Sequence, residues 1–126
     1  MPEQKYKVLI VDDEEDIRVL TGKLLSQEGY MCWVAANGVK ALEQLEKRQV
    51  DAVITDIKMP GGMDGIELTR EINKKYNLPV MVMTGFAQDF TAHDALTAGA
   101  DDFIIKPFAA DELTLRLQKM ILQKRN

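Results

Sequence analysis

Val50–Asp51–Ala52–Val53–Ile54–Thr55–Asp56 is an apolar run that ends on a carboxylate, followed at once by Ile57–Lys58–Met59–Pro60. A carboxylate left unpaired where a hydrophobic strand ends is costly, so Asp56 needs a partner or a ligand. Two other segments repeat the arrangement. Val8–Leu9–Ile10–Val11 runs into Asp12–Asp13, and Asp102–Phe103–Ile104–Ile105 runs into Lys106–Pro107. Three acids and one lysine therefore fall at the carboxyl ends of apolar strands, the edge of an open α/β sheet where ligands bind. Acids gathered there suit a hard divalent cation, and a lysine suits an anion beside it.

Outward from this run, short β-type stretches alternate with helix-type segments. The strands read as residues 6–11, 30–35, 51–56, 79–83 and 101–105. The first, third and fourth are nearly continuously apolar, as strands covered on both faces are. Helical patterns fall at 14–28, about 37–48, about 65–76, about 88–98 and about 110–124. The first sets Ile17, Leu20, Leu24 and Leu25 on one face, with Glu14, Glu15 and Asp16 in its first turn and Gly29 as its stop. The second follows Asn37–Gly38 and is expected to bury Val39, Leu42 and Leu45; the third carries Ile66, Leu68, Thr69, Ile72 and Tyr76. The fourth is alanine-rich, and the last has a stripe of Leu113, Leu117, Met120 and Ile121. Such βα units on short connections predict an α/β fold: a doubly wound, five-stranded parallel sheet with five helices and right-handed crossovers. Periodicity alone does not choose the strand order.

The chain has 126 residues, 46% of them hydrophobic and 29% charged, enough for one domain with a proper core. A net charge of −4 gives no basic field for nucleic acid or an anionic membrane. Cys32 is the only cysteine, which excludes an internal disulfide and multi-cysteine metal sites and is compatible with a reducing cytoplasm. Apolar runs are far shorter than a membrane span, and the N-terminus has no signal-peptide core, so a cytoplasmic location is expected.

Taken singly, the strand-end residues have plain readings: Asp12 or Asp13 as a helix cap, Asp56 as a turn former, Lys106 as a solvated lysine, Thr84 as a turn cap before Gly85. Together they gather acids, a hydroxyl and an ammonium at one sheet edge, where crowded like charges favour a cation such as Mg²⁺. A hydroxyl there can bond a phosphoryl oxygen.

Four segments resemble, in order and spacing, the receiver domain of two-component response regulators (CheY-like). They are Val11–Asp12–Asp13–Glu14, Thr55–Asp56–Ile57–Lys58–Met59–Pro60, Met83–Thr84–Gly85 and Phe103–Ile104–Ile105–Lys106–Pro107–Phe108. Gly99–Ala100–Asp101–Asp102–Phe103 is similar to the family's approach to its last strand. The likeness covers essentially the whole chain, so a single receiver domain over 1–126 is expected, with its core at about 6–124. It implies the flavodoxin-like strand order 2-1-3-4-5. It also implies that Asp56 accepts a phosphoryl group, and that Asp13, Asp56 and the backbone carbonyl of Lys58 hold Mg²⁺ directly, with Asp12 acting partly through water. Thr84 and Lys106 would bind phosphoryl oxygens, and the peptide before Pro107 would be cis. Thr84 and Phe103 would form the switch, with the fourth helix, fifth strand and fifth helix as the surface it changes.

The implied partners are a sensor histidine kinase or a phosphotransfer protein in a phosphorelay, with a homodimer or output domain on the switch surface. On the last helix, a 100° step from Leu113 puts Leu115 and Leu122 about 180° away, facing outward as candidate partner contacts. Three features modify the family pattern. The loop Met59–Pro60–Gly61–Gly62–Met63–Asp64–Gly65 has one residue more than usual, and Lys58 and Phe86 are bulky beside the path of a hydrolytic water. His93, the only histidine, lacks a phosphotransfer motif.

Two other functional classes fit less well. A haloacid-dehalogenase-type phosphohydrolase would carry a second acid two residues after its nucleophile, and that position is Lys58. A phosphorylation-independent interaction module usually lacks one of the acids or the lysine, and all are present. The chain reads either as a complete single-domain regulator or as the receiver portion of a larger protein.

Overall fold

The computed structural model describes residues 6–59, 61–85 and 92–125. Its elements in chain order are β1 (Lys7–Val11), α1 (Glu15–Gln27), β2 (Met31–Ala35), α2 (Gly38–Lys47), β3 (Ala52–Asp56), α3 (Gly65–Lys75), β4 (Val80–Thr84), α4 (Ala92–Thr97), β5 (Asp102–Ile105) and α5 (Ala110–Arg125). Among the described residues the strands form one five-stranded parallel sheet in the order β2-β1-β3-β4-β5. The most apolar strands, β1, β3 and β4, are the interior ones, and β2 and β5 lie at the edges, where residues such as Met31, Val34 and Ile105 are exposed. The doubly wound architecture predicted from the alternation is therefore the one observed.

Side chains alternate between two cores, as the strand period of two requires. Leu9, Val11, Val53, Val80 and Val82 pack with Ala41 and Leu45 of α2, Leu68 and Ile72 of α3, and Ala95 of α4. Val8, Ile10, Ile54, Met81, Met83 and Ile104 pack with Leu25 of α1 and with Leu113, Leu117, Met120 and Ile121 of α5.

Several boundaries move by a residue for physical reasons. Asp51 and Asp101, read as the first residues of strands, instead accept the backbone N–H of a neighbouring strand's start, Lys7 at 2.8 Å and Val80 at 2.9 Å. Asn37 and Asp64 cap α2 and α3 through N–H groups three residues on. The start of the fourth helix, expected near residue 88, lies outside the described residues, as does Phe86. Val39 is exposed, contrary to expectation, because α2 turns Gly38, Ala41 and Leu45 inward. In the lengthened loop, Gly61 and Gly62 both take positive φ (94° and 87°), the left-handed region open to glycine, which absorbs the extra residue.

Gly65 positions the site. As the first residue of α3 it donates its N–H to the Ile57 carbonyl at 2.7 Å, and a Cβ there would strike the Asp56 carbonyl and lie 2.9 Å from Ile57 Cα. Those neighbours are backbone and cannot turn aside. Gly65→Ala should therefore lower stability by about 3 kcal/mol, toward the upper end for overpacking. Urea denaturation measures it, and an unchanged midpoint would show that the strand end and α3 separate freely.

Candidate functional site

Parallel pairing brings the strand ends level. Val11 pairs with Thr55, so Asp12 and Asp56 stand one step further on adjacent strands, and Asp13 follows. Thr84 pairs with Ile105, which sets Lys106 just beyond Thr84, with its N–H donating to the Thr84 carbonyl at 2.7 Å. The Lys106–Pro107 peptide is cis.

Within this edge, carboxylate oxygens of Asp12, Asp13 and Asp56 lie within 4.8 Å of one another. Lys106 Nζ stands 3.3 Å from Asp12 Oδ2 and 3.5 Å from Asp56 Oδ1. Asp12 is fully buried, and its Oδ1 accepts the Glu14 N–H at 2.9 Å, so it orders the turn into α1 although Glu14 occupies the cap position. Arg18 adds a bond from Nη1 to the Asp12 carbonyl at 2.8 Å. Asp13 is exposed and Asp56 half-buried, with the Ile57 N–H donating to Asp56 Oδ1 at 3.0 Å.

Burial pushes the Asp56 carboxyl above the usual carboxylate range. Lys106 opposes the rise and the Asp12 charge adds to it. Burial also works against the Lys106 ammonium, yet the Asp56 and Asp12 carboxylates together hold its pKa above the ordinary lysine value. The Lys106 ammonium thus stands between Asp12 and Asp56, with Asp13 beside them. The donor set is all oxygen and faces solvent through Asp13, which fits a hard cation such as Mg²⁺ that keeps several waters.

The other anticipated residues lie around this centre. Lys58 is exposed just past Asp56. Thr84 is half-buried, its hydroxyl donating to the Gly85 carbonyl at 3.3 Å. Phe103 pairs with Val82 and packs, half-buried, on the α2–α4 side. Because Thr84 is two residues beyond Val82, its side chain shares that side of the sheet. Leu115 is 65% and Leu122 47% exposed, away from the α5 core stripe. His93 is exposed on α4.

The α1 stripe divides in a way the sequence reading missed. Leu25 is buried, but Leu20 is 55% exposed. Ile17, Leu20 and Leu24 line an apolar groove of about 400 Å³ with Pro107 and Phe108, and Lys106 forms part of its wall. The signal lay in the stripe's width: at 100° per residue, Leu20 to Leu25 spans about 140°, more than one buried seam requires.

Fold and edge together define a flavodoxin-like α/β domain with an acidic, lysine-bridged site. A family model for the response regulator receiver domain matches residues 8–118, and the chain belongs to that family. Over 114 residues it is 45% identical to an NtrX-like response regulator of Rickettsia bellii, covering 89% of this chain and 24% of that one. The crystal structure of the receiver domain of NtrX from Brucella abortus is similar with a TM-score of 0.86 at 40% identity, covering 90% of this chain and 97% of that one. A crystal structure of NtrX from the same organism gives a TM-score of 0.90 at 37% identity, covering 97% of this chain and 28% of that one. The chain spans about a quarter of the length of that Rickettsia relative. As a receiver domain of two-component systems it is a signalling switch and not a conventional enzyme. No helix among the described residues is long and apolar enough to cross a membrane.

Burial of the Asp56 carboxylate yields a stability prediction. Because the folded-state pKa of Asp56 lies above its unfolded value, the native state holds the proton more tightly. Asp56 therefore subtracts stability at neutral pH, and that stability returns as pH falls through the folded pKa. In EDTA at pH 7, Asp56→Asn should be more stable than wild type by about 1 kcal/mol, with the gap closing on acidification. Asp12→Asn should gain nothing, since it takes from Lys106 its nearer partner. Denaturation across pH measures both, and equal stability of wild type and Asp56→Asn at pH 7 would refute the destabilising burial of Asp56.

Proposed function

We propose that this domain accepts a phosphoryl group on Asp56 from a partner's phosphohistidine and changes its α4–β5–α5 surface in response. The observation that carries the reading is Asp56 Oδ1 held 3.5 Å from Lys106 Nζ inside the three-acid cluster. An Asp56 oxygen attacks phosphorus while the phosphorus–nitrogen bond breaks, and the imidazole leaves with the bonding pair. Lys106 then bonds a phosphoryl oxygen, so its charge serves the anion on Asp56 as it now serves the carboxylates. Asp13, Asp56 and the Lys58 carbonyl would hold Mg²⁺, with Asp12 acting partly through water, and the ion would supply neutralisation of charge on the equatorial oxygens.

Thr84 turns its hydroxyl from Gly85 toward the new anion and leaves room for Phe103, which shares its side of the sheet, to rotate inward. The donor is a sensor histidine kinase or phosphotransfer protein, whose histidine-bearing helix rests in the groove of Ile17, Leu20, Leu24 and Phe108. The shared wall at Lys106 supports that placement. Leu115 and Leu122 contact a second copy or an output domain. The domain acts as one receiver unit in the cytoplasm.

Asp56→Asn should abolish phosphorylation by acetyl phosphate and Mg²⁺-dependent beryllofluoride binding while leaving the fold intact, and Asp13→Ala should weaken Mg²⁺ binding about tenfold or more. Equal phosphoryl incorporation by wild type and Asp56→Asn would end the assignment.

The two surfaces should also separate by substitution. Leu20→Glu should slow phosphotransfer from a cognate kinase but not phosphorylation by acetyl phosphate. Leu115→Lys with Leu122→Lys should leave both intact and remove self-association or output binding. Unchanged kinase kinetics for the first variant, or unchanged sedimentation and partner affinity for the second, would return those leucines to ordinary surface.

A further inference from the structure

α3 carries a polar stripe at four-residue spacing, Gly65, Thr69 and Asn73, which puts the three on one helix face. Its first member is seated on the phosphoacceptor's backbone: the Gly65 N–H reaches the Ile57 carbonyl at 2.7 Å, and its Cα leaves no room for a Cβ beside the Asp56 carbonyl. Thr69, fully buried, donates its hydroxyl to the Gly65 carbonyl at 2.7 Å. Asn73 donates its side-chain amide to the Thr69 carbonyl at 3.0 Å and across to the Gly99 carbonyl at 2.9 Å, with the Ala98 carbonyl at 3.5 Å.

Those last acceptors belong to the C-terminal end of α4. There the Gly99 N–H bonds the Leu96 carbonyl and the Ala100 N–H bonds the Ala95 carbonyl, with Gly99 at φ 103°. This paired closure satisfies the Ala95 and Leu96 carbonyls and leaves those of Ala98 and Gly99, just past the helix, to other donors. Asn73 claims them. The fit is close, since a Cβ on Gly99 would lie 2.7 Å from Asn73 Cγ.

We propose that the Gly65–Thr69–Asn73 stripe couples the Asp56 backbone to α4, with Asn73 as a positioning residue that holds α4 in the arrangement where the Thr84 hydroxyl bonds Gly85. The inference rests on Asp56 being the phosphoacceptor. Eight residues of α3 separate Gly65 from Asn73, about 12 Å of helix, so a displacement at the strand end is carried to the α4 terminus by a rigid element. This route is separate from the one through Thr84 and Phe103. It runs through backbone and α3 to the C-terminal end of α4. Coupling is reciprocal: if the Asn73 tie favours this arrangement, a ligand on Asp56 that favours the other must loosen the tie, and loosening the tie must tighten that ligand.

The test uses the whole chain with beryllofluoride and Mg²⁺ as the probe, calorimetry for affinity and amide hydrogen exchange for α4. In Asn73→Ala, exchange of the Ala98, Gly99 and Ala100 amides should quicken about tenfold with the β-strand amides unchanged. Beryllofluoride should bind about fivefold tighter. Lys74→Ala, which removes only the exposed pair with Glu71, should change neither. Faster exchange with unaltered affinity would reduce Asn73 to a local tie and overturn the proposal, as would unaltered exchange or weaker binding. If wild type itself shows no Mg²⁺-dependent binding that Asp56→Asn removes, the phosphoacceptor reading fails and the coupling with it. That failure appears before any change at Asn73.

Discussion

One ammonium shared between two carboxylates on neighbouring strands is the constraint on which the rest of this structure turns. Lys106 lies 3.3 Å from Asp12 and 3.5 Å from Asp56, and it gets there from the far edge strand, across the end of β4. That reach requires β1 and β3 to be adjacent with their ends level, so the strand order and the site are one requirement. Asp13 adds a third acid to the same edge. The raised pKa of Asp56 comes first from its burial, with Lys106 opposing the rise and the Asp12 charge adding to it. Such an edge carries burial and acid–acid repulsion together.

The same residue type does opposite work at the two ends of the sheet. Asp51 and Asp101 stand where strands begin, and each accepts a backbone N–H that the parallel ladder leaves over, from Lys7 and from Val80. Their charge is spent on structure. Asp12 and Asp56 stand where strands end, and each accepts a backbone N–H from the turn that follows, from Glu14 and Ile57. Both also turn to Lys106, Asp12 through Oδ2 and Asp56 through the same Oδ1. The end of the strand therefore decides whether an aspartate clamps the ladder or joins the cluster at Lys106.

This is also why the sequence told so much about the site and less about its support. Apolar runs closing on Asp12, Asp56, Thr84 and Lys106 mark strand ends directly, and continuous apolarity marks β1, β3 and β4 as interior. The outward angle of Leu115 and Leu122 could likewise be counted from Leu113. Periodicity measures direction around a helix but not how much of it is covered. So the pattern turns Val39 inward and groups Leu20 on one face with Leu25, although Val39 faces solvent and Leu20 lines a groove. Gly65 and Asn73 were harder still. Gly65 matters because of the strand-end backbone it touches, and Asn73 because of a carbonyl 26 residues away, and no local pattern carries either fact.

Magnitudes decide how the two routes from Asp56 divide their work. A hydrogen bond such as that from Asn73 to Gly99 contributes about 0.5–1.5 kcal/mol net. Moving a two-state equilibrium from one extreme to the other takes about 5.5 kcal/mol. The α3 stripe can therefore set how readily α4 yields, but it cannot throw the switch. That energy has to come from the strand-end cluster, where a phosphoryl group would change the local charge by more than any neutral hydrogen bond can offset. A tie of this size beside a strong electrostatic driver is a means of adjustment, since its loss shifts the set point and leaves the two arrangements themselves in place.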